Sequence, residues 1–107
     1  MSKHFSVSTE RTDDTATVFC SGELDIATAP DADKAVIDVI SKDNVRLVKL
    51  DWSGLTFMDS TGIRLLLTTV RRCKEAGLEL IWHLSPQAQR ALDAVGIHDA
   101  LLRSYGA

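Results

Sequence analysis

The residues most open to chemical use lie in one run near the middle of the chain, Asp51-Trp-Ser-Gly-Leu-Thr-Phe-Met-Asp-Ser-Thr-Gly62. An acid and two hydroxyls, Asp59, Ser60 and Thr61, stand immediately before an apolar repeat of helical period, where all three residue types are favoured as helix caps. Capping is the plain reading of the three. The chemical reading is that Ser60 is a modification site. A phosphoserine carries about -1.5 to -2 charges, and the amides at a helix N-terminus tolerate an added anion, so the fold would survive phosphorylation. A partner docked over that helix end would meet new charge, new bulk and a desolvation cost, increased by Asp25 or Asp59 nearby. That describes an off switch that works without unfolding.

Other chemistries find less support. Ser60 has no Gly-x-Ser-x-Gly elbow and no histidine close in sequence, so a hydrolase with Ser60 as nucleophile would need a base brought from afar. His4, His83 and His98 are scattered without ligand spacing, and Cys20 and Cys73 form no Cys-x-x-Cys, so neither a metal site nor a disulfide framework is expected. Two buried thiols are the simpler reading. Nucleotide binding has no Gly-rich phosphate loop behind it, and no cofactor is expected.

The elements that must position Ser60 are legible in outline. Phe5, Val7 and Thr9 alternate with Ser6 and Ser8, and Ala16 to Cys20 forms a second β-rich run beyond Arg11–Asp14, which predicts an opening β-hairpin. Thr28-Ala-Pro-Asp31 reads as a helix start, with Thr28 as the capping side chain and Pro30 in the first turn. Ala32, Val36, Val39 and Ile40 form the buried stripe of that helix and Asp33, Lys34 and Asp38 its wet face, with an end near residues 41–44. Val45 to Trp52 reads as a central strand, followed by a Ser53-Gly54-Leu55-Thr56 turn. Ile63, Leu66, Leu67, Val70 and Cys73 then predict a helix from Ser60 to a left-handed stop at Gly77. Leu78 to Leu84 is another strand, and Ser85-Pro86 opens a helix buried through Ala88, Ala91, Leu92 and Val95. Residues 97–107 predict one more short helix. The fold class expected is mixed α/β, a four- to five-stranded mixed sheet with an N-terminal hairpin and helices packed on one side. No repeat or linker interrupts it, so residues 1–107 read as a single domain.

The bulk properties exclude whole classes of function. The chain has 107 residues, 12 Lys+Arg against 15 Asp+Glu and a net charge of -3, which gives no basic field for neutralising phosphates, so nucleic acid is not an expected partner. No apolar run is long enough to span a bilayer and the first residues lack the h-region of a signal peptide, so no membrane association and a cytoplasmic location are expected. A monomer is expected, since no long apolar surface stripe is left over.

Two separated motifs, Gly-Glu-Leu-Asp-Ile-Ala-Thr-Ala-Pro at Gly22 to Pro30 and Leu-Asp-Trp-Ser-Gly-Leu-Thr-Phe-Met-Asp-Ser-Thr-Gly-Ile-Arg-Leu-Leu-Leu at Leu50 to Leu67, resemble the STAS family of anti-sigma-factor antagonists. The likeness runs on through Arg71-Arg72, Gly77, Ser85-Pro86 and Gly96-Ile97. Trp52 and Trp82 depart from it, Trp52 standing where an aliphatic residue is usual. The resemblance implies a phosphorylation-controlled partner switch. The unmodified antagonist binds an anti-sigma factor that is also an ATP-dependent serine kinase, and so releases a sigma factor. Phosphorylation inactivates the antagonist, and a metal-dependent serine phosphatase restores it. Ser60 takes the phosphorylated position, with Thr61 as the secondary acceptor. The partner-binding surface implied comprises Asp25, Thr28, Ala29, Ser53, Gly54, Thr56, Met58, Asp59, Thr61, Gly62, Arg64 and Arg71. Arg64, Thr68, Arg71 and Arg72 share the helix face opposite the apolar stripe, fit either for a partner's acidic groove or for solvent alone. The alternative within the family is a STAS regulatory subunit of a transporter ATPase or of a larger signalling assembly, with no phospho-switch. The intact Ser60-Thr61 pair argues for the antagonist.

Overall fold

The structure, a computed structural model, describes residues 4–96. The short helix expected over residues 97–107 lies outside the described residues. Four strands form one sheet in the order β1-β2-β3-β4, with β1 (Phe5–Thr12) antiparallel to β2 (Thr15–Leu24) and β3 (Leu47–Met58) parallel to both β2 and β4 (Glu79–Leu84). The hairpin turns at Asp13, whose φ of 54° is the left-handed conformation that Asp tolerates in turns. Helices α1 (Ala29–Ile40) and α2 (Ser60–Ala76) make the parallel crossovers, and α3 (Pro86–Ala94) follows β4.

Burial alternates along the strands because one face of the sheet is covered and the other is open. Ala16, Val18 and Cys20 of β2, Val48, Leu50 and Trp52 of β3 and Leu80 of β4 point into the core, where they meet Ala32 and Val36 of α1, Leu66 and Val70 of α2 and Ala88 and Leu92 of α3. Each fully buried leucine contributes about 1.5–3 kcal/mol of transfer free energy. Both cysteines are buried and carry no disulfide. Burial pushes the Cys20 thiol up to about 12, outweighing a weak favourable effect of the Trp52 indole, so the sulfur is no nucleophile. Trp52 fits wholly inside, and its Nε1 reaches no acceptor at hydrogen-bonding geometry among the described residues.

Several local expectations are corrected. Ser53–Thr56 is not a turn: β3 runs on to Met58, because β2 follows it through two register shifts, between Phe19 and Ser21 and between Gly22 and Glu23, to pair Ser21 with Gly54 and Leu24 with Met58. In α2 the buried face includes Leu65 and Thr69, whereas Leu67 is 41% exposed, since α1 and the sheet together cover a wider arc than the predicted stripe. Val95 is half exposed as the C-cap of α3. Asp33 is not simply wet, for its carboxylate holds the Arg72 guanidinium across the α1–α2 seam. Gly77 stops α2 at φ 73°, and Ser85 caps α3 by accepting from the Ala88 amide at 3.0 Å, both as the sequence predicts.

Gly22 lies in β2 against the start of β1. Its φ is 92°, and a Cβ placed there would lie 1.8 Å from the His4 carbonyl oxygen, which already accepts the Glu23 amide at 2.8 Å. No other residue allows that approach. Replacing Gly22 by Ala should therefore cost about 3 kcal/mol or more and lower the thermal midpoint by roughly 12 °C or more, measured by circular dichroism. A midpoint unchanged within about 2 °C would contradict the close approach on the same scale.

Candidate functional site

The site is assembled where β2 and β3 end side by side. After Leu24, buried at the end of β2, the chain turns through Asp25-Ile26-Ala27 into α1. Asp25 is buried, and its Oδ1 accepts the amides of Ala27 (3.0 Å) and Thr28 (3.2 Å). Thr28 stands at the N-cap of α1 but makes no side-chain cap, contrary to the local expectation. Its hydroxyl turns back instead, donating to the Glu23 carbonyl at 2.7 Å and accepting the Asp25 amide at 3.0 Å. The buried amide of Asp25 and the carbonyl of Glu23 need partners more than the Asp31 amide of the first turn does, since that amide already donates to the Thr28 carbonyl at 3.1 Å, so the loop wins the hydroxyl. Ala29, also buried, is the first residue of α1.

On the β3 side, the amide of Asp59 donates to the Leu24 carbonyl at 3.3 Å, which joins the two strand ends. The carboxylate of Asp59 is the N-cap of α2 and accepts the Thr61 amide at 2.8 Å. Asp59 thus does the capping, and Ser60, the first helical residue, is left exposed. Its hydroxyl bonds to no other group among the described residues. Gly62 lets the helix sit this low: a Cβ there would lie 2.5 Å from Met58 Cγ and 3.0 Å from Leu24 Cδ2. Met58 and Gly62 are both buried, so they shape the site from beneath.

Beside Ser60 the first turns of α1 and α2 enclose an open cleft of about 380 Å³, lined by Ile26, Ala29, Pro30, Leu65 and Thr68 with Thr61 and Arg64 on its α2 wall. The Asp33–Arg72 pair closes its far end. Arg64 and Arg71 are exposed, but only Arg64 belongs to the cleft. The fold therefore brings together Asp25, Thr28, Ala29, Met58, Asp59, Ser60, Thr61, Gly62 and Arg64. Ser53, Gly54 and Thr56 are exposed on β3 and stand apart, Ser53 and Gly54 lying about 13–17 Å along the strand from Met58. Ser53 is turned to Asp51, and its hydroxyl, with its amide, holds that carboxyl below its usual value.

Sequence reasoning missed two apolar residues at the site. Ile26 is 79% exposed and Phe57 47% exposed. Ile26 carries the readable signal, since a branched aliphatic side chain between Asp25 and Ala27, just before a helix start, belongs to no periodic stripe. Phe57 could not be found that way, because it points outward only after the register shifts. Among the described residues no cluster of His, Cys, Asp and Glu is placed to hold a metal ion, and no helix is long and apolar enough to cross a membrane.

Comparisons with known proteins agree with this geometry. The family model described as STAS domain matches residues 6–105. The anti-sigma-B factor antagonist of Listeria monocytogenes is 27% identical over 86% of this chain and 81% of its own length. Among solved structures, an anti-sigma factor antagonist from Mycobacterium paratuberculosis superposes with a TM-score of 0.72 at 25% identity, covering 96% of this chain and 95% of that one. The anti-sigma factor antagonist SpoIIAA in its unphosphorylated form gives 0.71 at 21% identity, with 95% and 98% covered, and is a likeness of fold.

The Thr28 hydroxyl is the joint of the loop. Thr28→Val keeps the shape but strands a buried amide, and should cost about 1–3 kcal/mol, a fall of roughly 5–15 °C in thermal midpoint, while Thr28→Ser keeps most of the stability. Equal midpoints for Thr28→Val and the unaltered protein would show that the hydroxyl holds nothing.

Proposed function

The chain belongs to the STAS domain family, and on that footing we propose that it is an anti-sigma-factor antagonist switched off by phosphorylation of Ser60. In its unmodified form it binds an anti-sigma factor that is also an ATP-dependent serine kinase, in the cytoplasm, and thereby frees a sigma factor for transcription. The chain catalyses nothing itself. The kinase transfers the γ-phosphoryl group of ATP: a bond forms between Ser60 Oγ and phosphorus, the bond from phosphorus to the β–γ bridging oxygen breaks, ADP leaves, and the hydroxyl proton passes to a base of the kinase. A metal-dependent serine phosphatase hydrolyses the ester, returning the hydroxyl and inorganic phosphate.

One observation carries this reading. Ser60 is exposed at the head of α2 while Asp59 does the capping, so the hydroxyl is spare and its modification costs the helix nothing. The surroundings suit a docking surface, with Arg64 one helical turn along α2 and, next to Thr61, an apolar cleft lined by the protruding Ile26. The antagonist names of the Listeria and Mycobacterium relatives favour the same function. SpoIIAA, a likeness of fold, has been solved in both an unphosphorylated and a phosphorylated form.

The test is incubation of the protein with Mg-ATP and each small anti-sigma kinase of its own genome, read by intact mass. The unaltered protein and Thr61→Ala should each gain one phosphoryl group, and Ser60→Ala none. Equal phosphorylation of Ser60→Ala would remove Ser60 as the acceptor, and no mass gain with any kinase would favour a STAS subunit of a transporter or larger assembly.

A further inference from the structure

Arg64 stands four residues after Ser60, one helical turn along the same exposed face of α2. Side chains on a helix lean toward its N-terminus, and residues four apart have Cβ atoms only about 5–6 Å apart, so the position of Ser60 is within reach of the Arg64 side chain. Arg64 also lines the cleft, together with Thr61, the residue after Ser60, and with Ile26, Ala29 and Pro30 at the start of α1.

Three of the neighbouring acids are already engaged. Asp33 holds Arg72, Asp59 accepts the Thr61 amide, and Asp25 is buried and accepts the amides of Ala27 and Thr28. Asp31, in the first turn of α1, is exposed. Arg64 itself has no ion pair and no hydrogen bond among the described residues. An uncommitted guanidinium therefore stands one turn from the hydroxyl, at the edge of the apolar cleft.

We propose that Arg64 is the intramolecular counter-charge of phosphorylated Ser60, a proposal that rests on phosphorylation at that residue. In the unmodified protein the guanidinium is available to an acidic side chain of the partner. Once Ser60 is phosphorylated, the phosphate oxygens accept from the same guanidinium, so the modification adds an anion and also withdraws the one cation of the cleft wall that, among the described residues, no acid holds. The pairing of guanidinium with phosphate is charge-assisted and two-pronged, which a lysine matches only as a point charge.

The experiment uses the full chain with phosphoserine inserted at position 60 during synthesis, so no kinase is involved. Phosphorus NMR follows the second ionisation of the phosphate, near pH 6 for a free phosphoserine. Asp25, Asp31 and Asp59 act to raise that value, whereas Arg64 and the amides at the head of α2 lower it. Arg64→Gln should raise it by roughly half a unit, Arg64→Lys by less, and Arg71→Gln, two turns further along α2, should leave it unchanged. A titration of Arg64→Gln that overlays the unaltered protein, or moves no more than Arg71→Gln does, would overturn the pairing while leaving phosphorylation of Ser60 untouched. Failure of every kinase to modify Ser60 would remove the premise and leave the titration as it stands.

Discussion

Asp59 is held from two directions, and the arrangement of the site depends on it. Its amide reaches the Leu24 carbonyl and its carboxylate receives the Thr61 amide, so one residue ends β3, pins it to the end of β2 and starts α2. Because the cap is an aspartate, the serine after it has no structural duty. Had Ser60 capped the helix, its hydroxyl would have been consumed by a backbone amide, and modification would have loosened the helix end. Here the two tasks fall to adjacent residues. Gly62 below and Gly22 across the sheet end make this geometry possible by admitting close contacts that a Cβ would block.

The energetics of the proposed switch are asymmetric. An anion at a helix N-terminus stabilises the helix by about 0.3–1 kcal/mol, a small effect on the fold and of favourable sign. The same anion beneath a docked partner must be desolvated, and like charge across an interface costs several kcal/mol. Since about 1.4 kcal/mol is a factor of ten in affinity, a modification almost neutral for the fold is decisive for binding. The cleft magnifies this contrast, because its lining is largely aliphatic and Arg64 is, among the described residues, its one cation that no acid holds. The loop on the other side of the cleft is fixed by buried hydrogen bonds, through Asp25 and Thr28, so Ile26 is presented by a rigid support.

The elements read from local pattern were those whose signals are local. The hairpin alternation, the Gly77 stop and the Ser85-Pro86 start appear in the structure as the residues suggest. What escaped notice was set by contacts distant in sequence. Ser53-Gly54-Leu55-Thr56 has the composition of a turn, yet extends because β2 pairs with it through two bulges in which β3 carries the extra residue. Asp33 and Arg72 lie 39 positions apart, and nothing local pairs them. Thr28 looked like a cap because the residue type and the following Pro30 are right for one, but a buried amide in the preceding loop competed for its hydroxyl and won. Trp52, unusual for the family at that position, is accommodated in full by the core, and its buried Nε1 reaches no acceptor at bonding geometry among the described residues. The site was legible where motif and cap coincide, from Asp59 to Gly62, and least legible in its apolar half, where exposure of Ile26 and Phe57 follows from tertiary structure.

The central claim is that a phosphate on Ser60 abolishes docking while the fold persists. The most direct measurement is calorimetric titration of the cognate anti-sigma kinase, without nucleotide hydrolysis, into the unmodified chain and into the chain carrying phosphoserine at position 60, with circular dichroism recorded on both. Matching spectra and an affinity at least about a hundredfold weaker for the phosphorylated chain, equivalent to roughly 2.7 kcal/mol, are expected. Equal affinities, or a loss of binding accompanied by a loss of secondary structure, would contradict the claim.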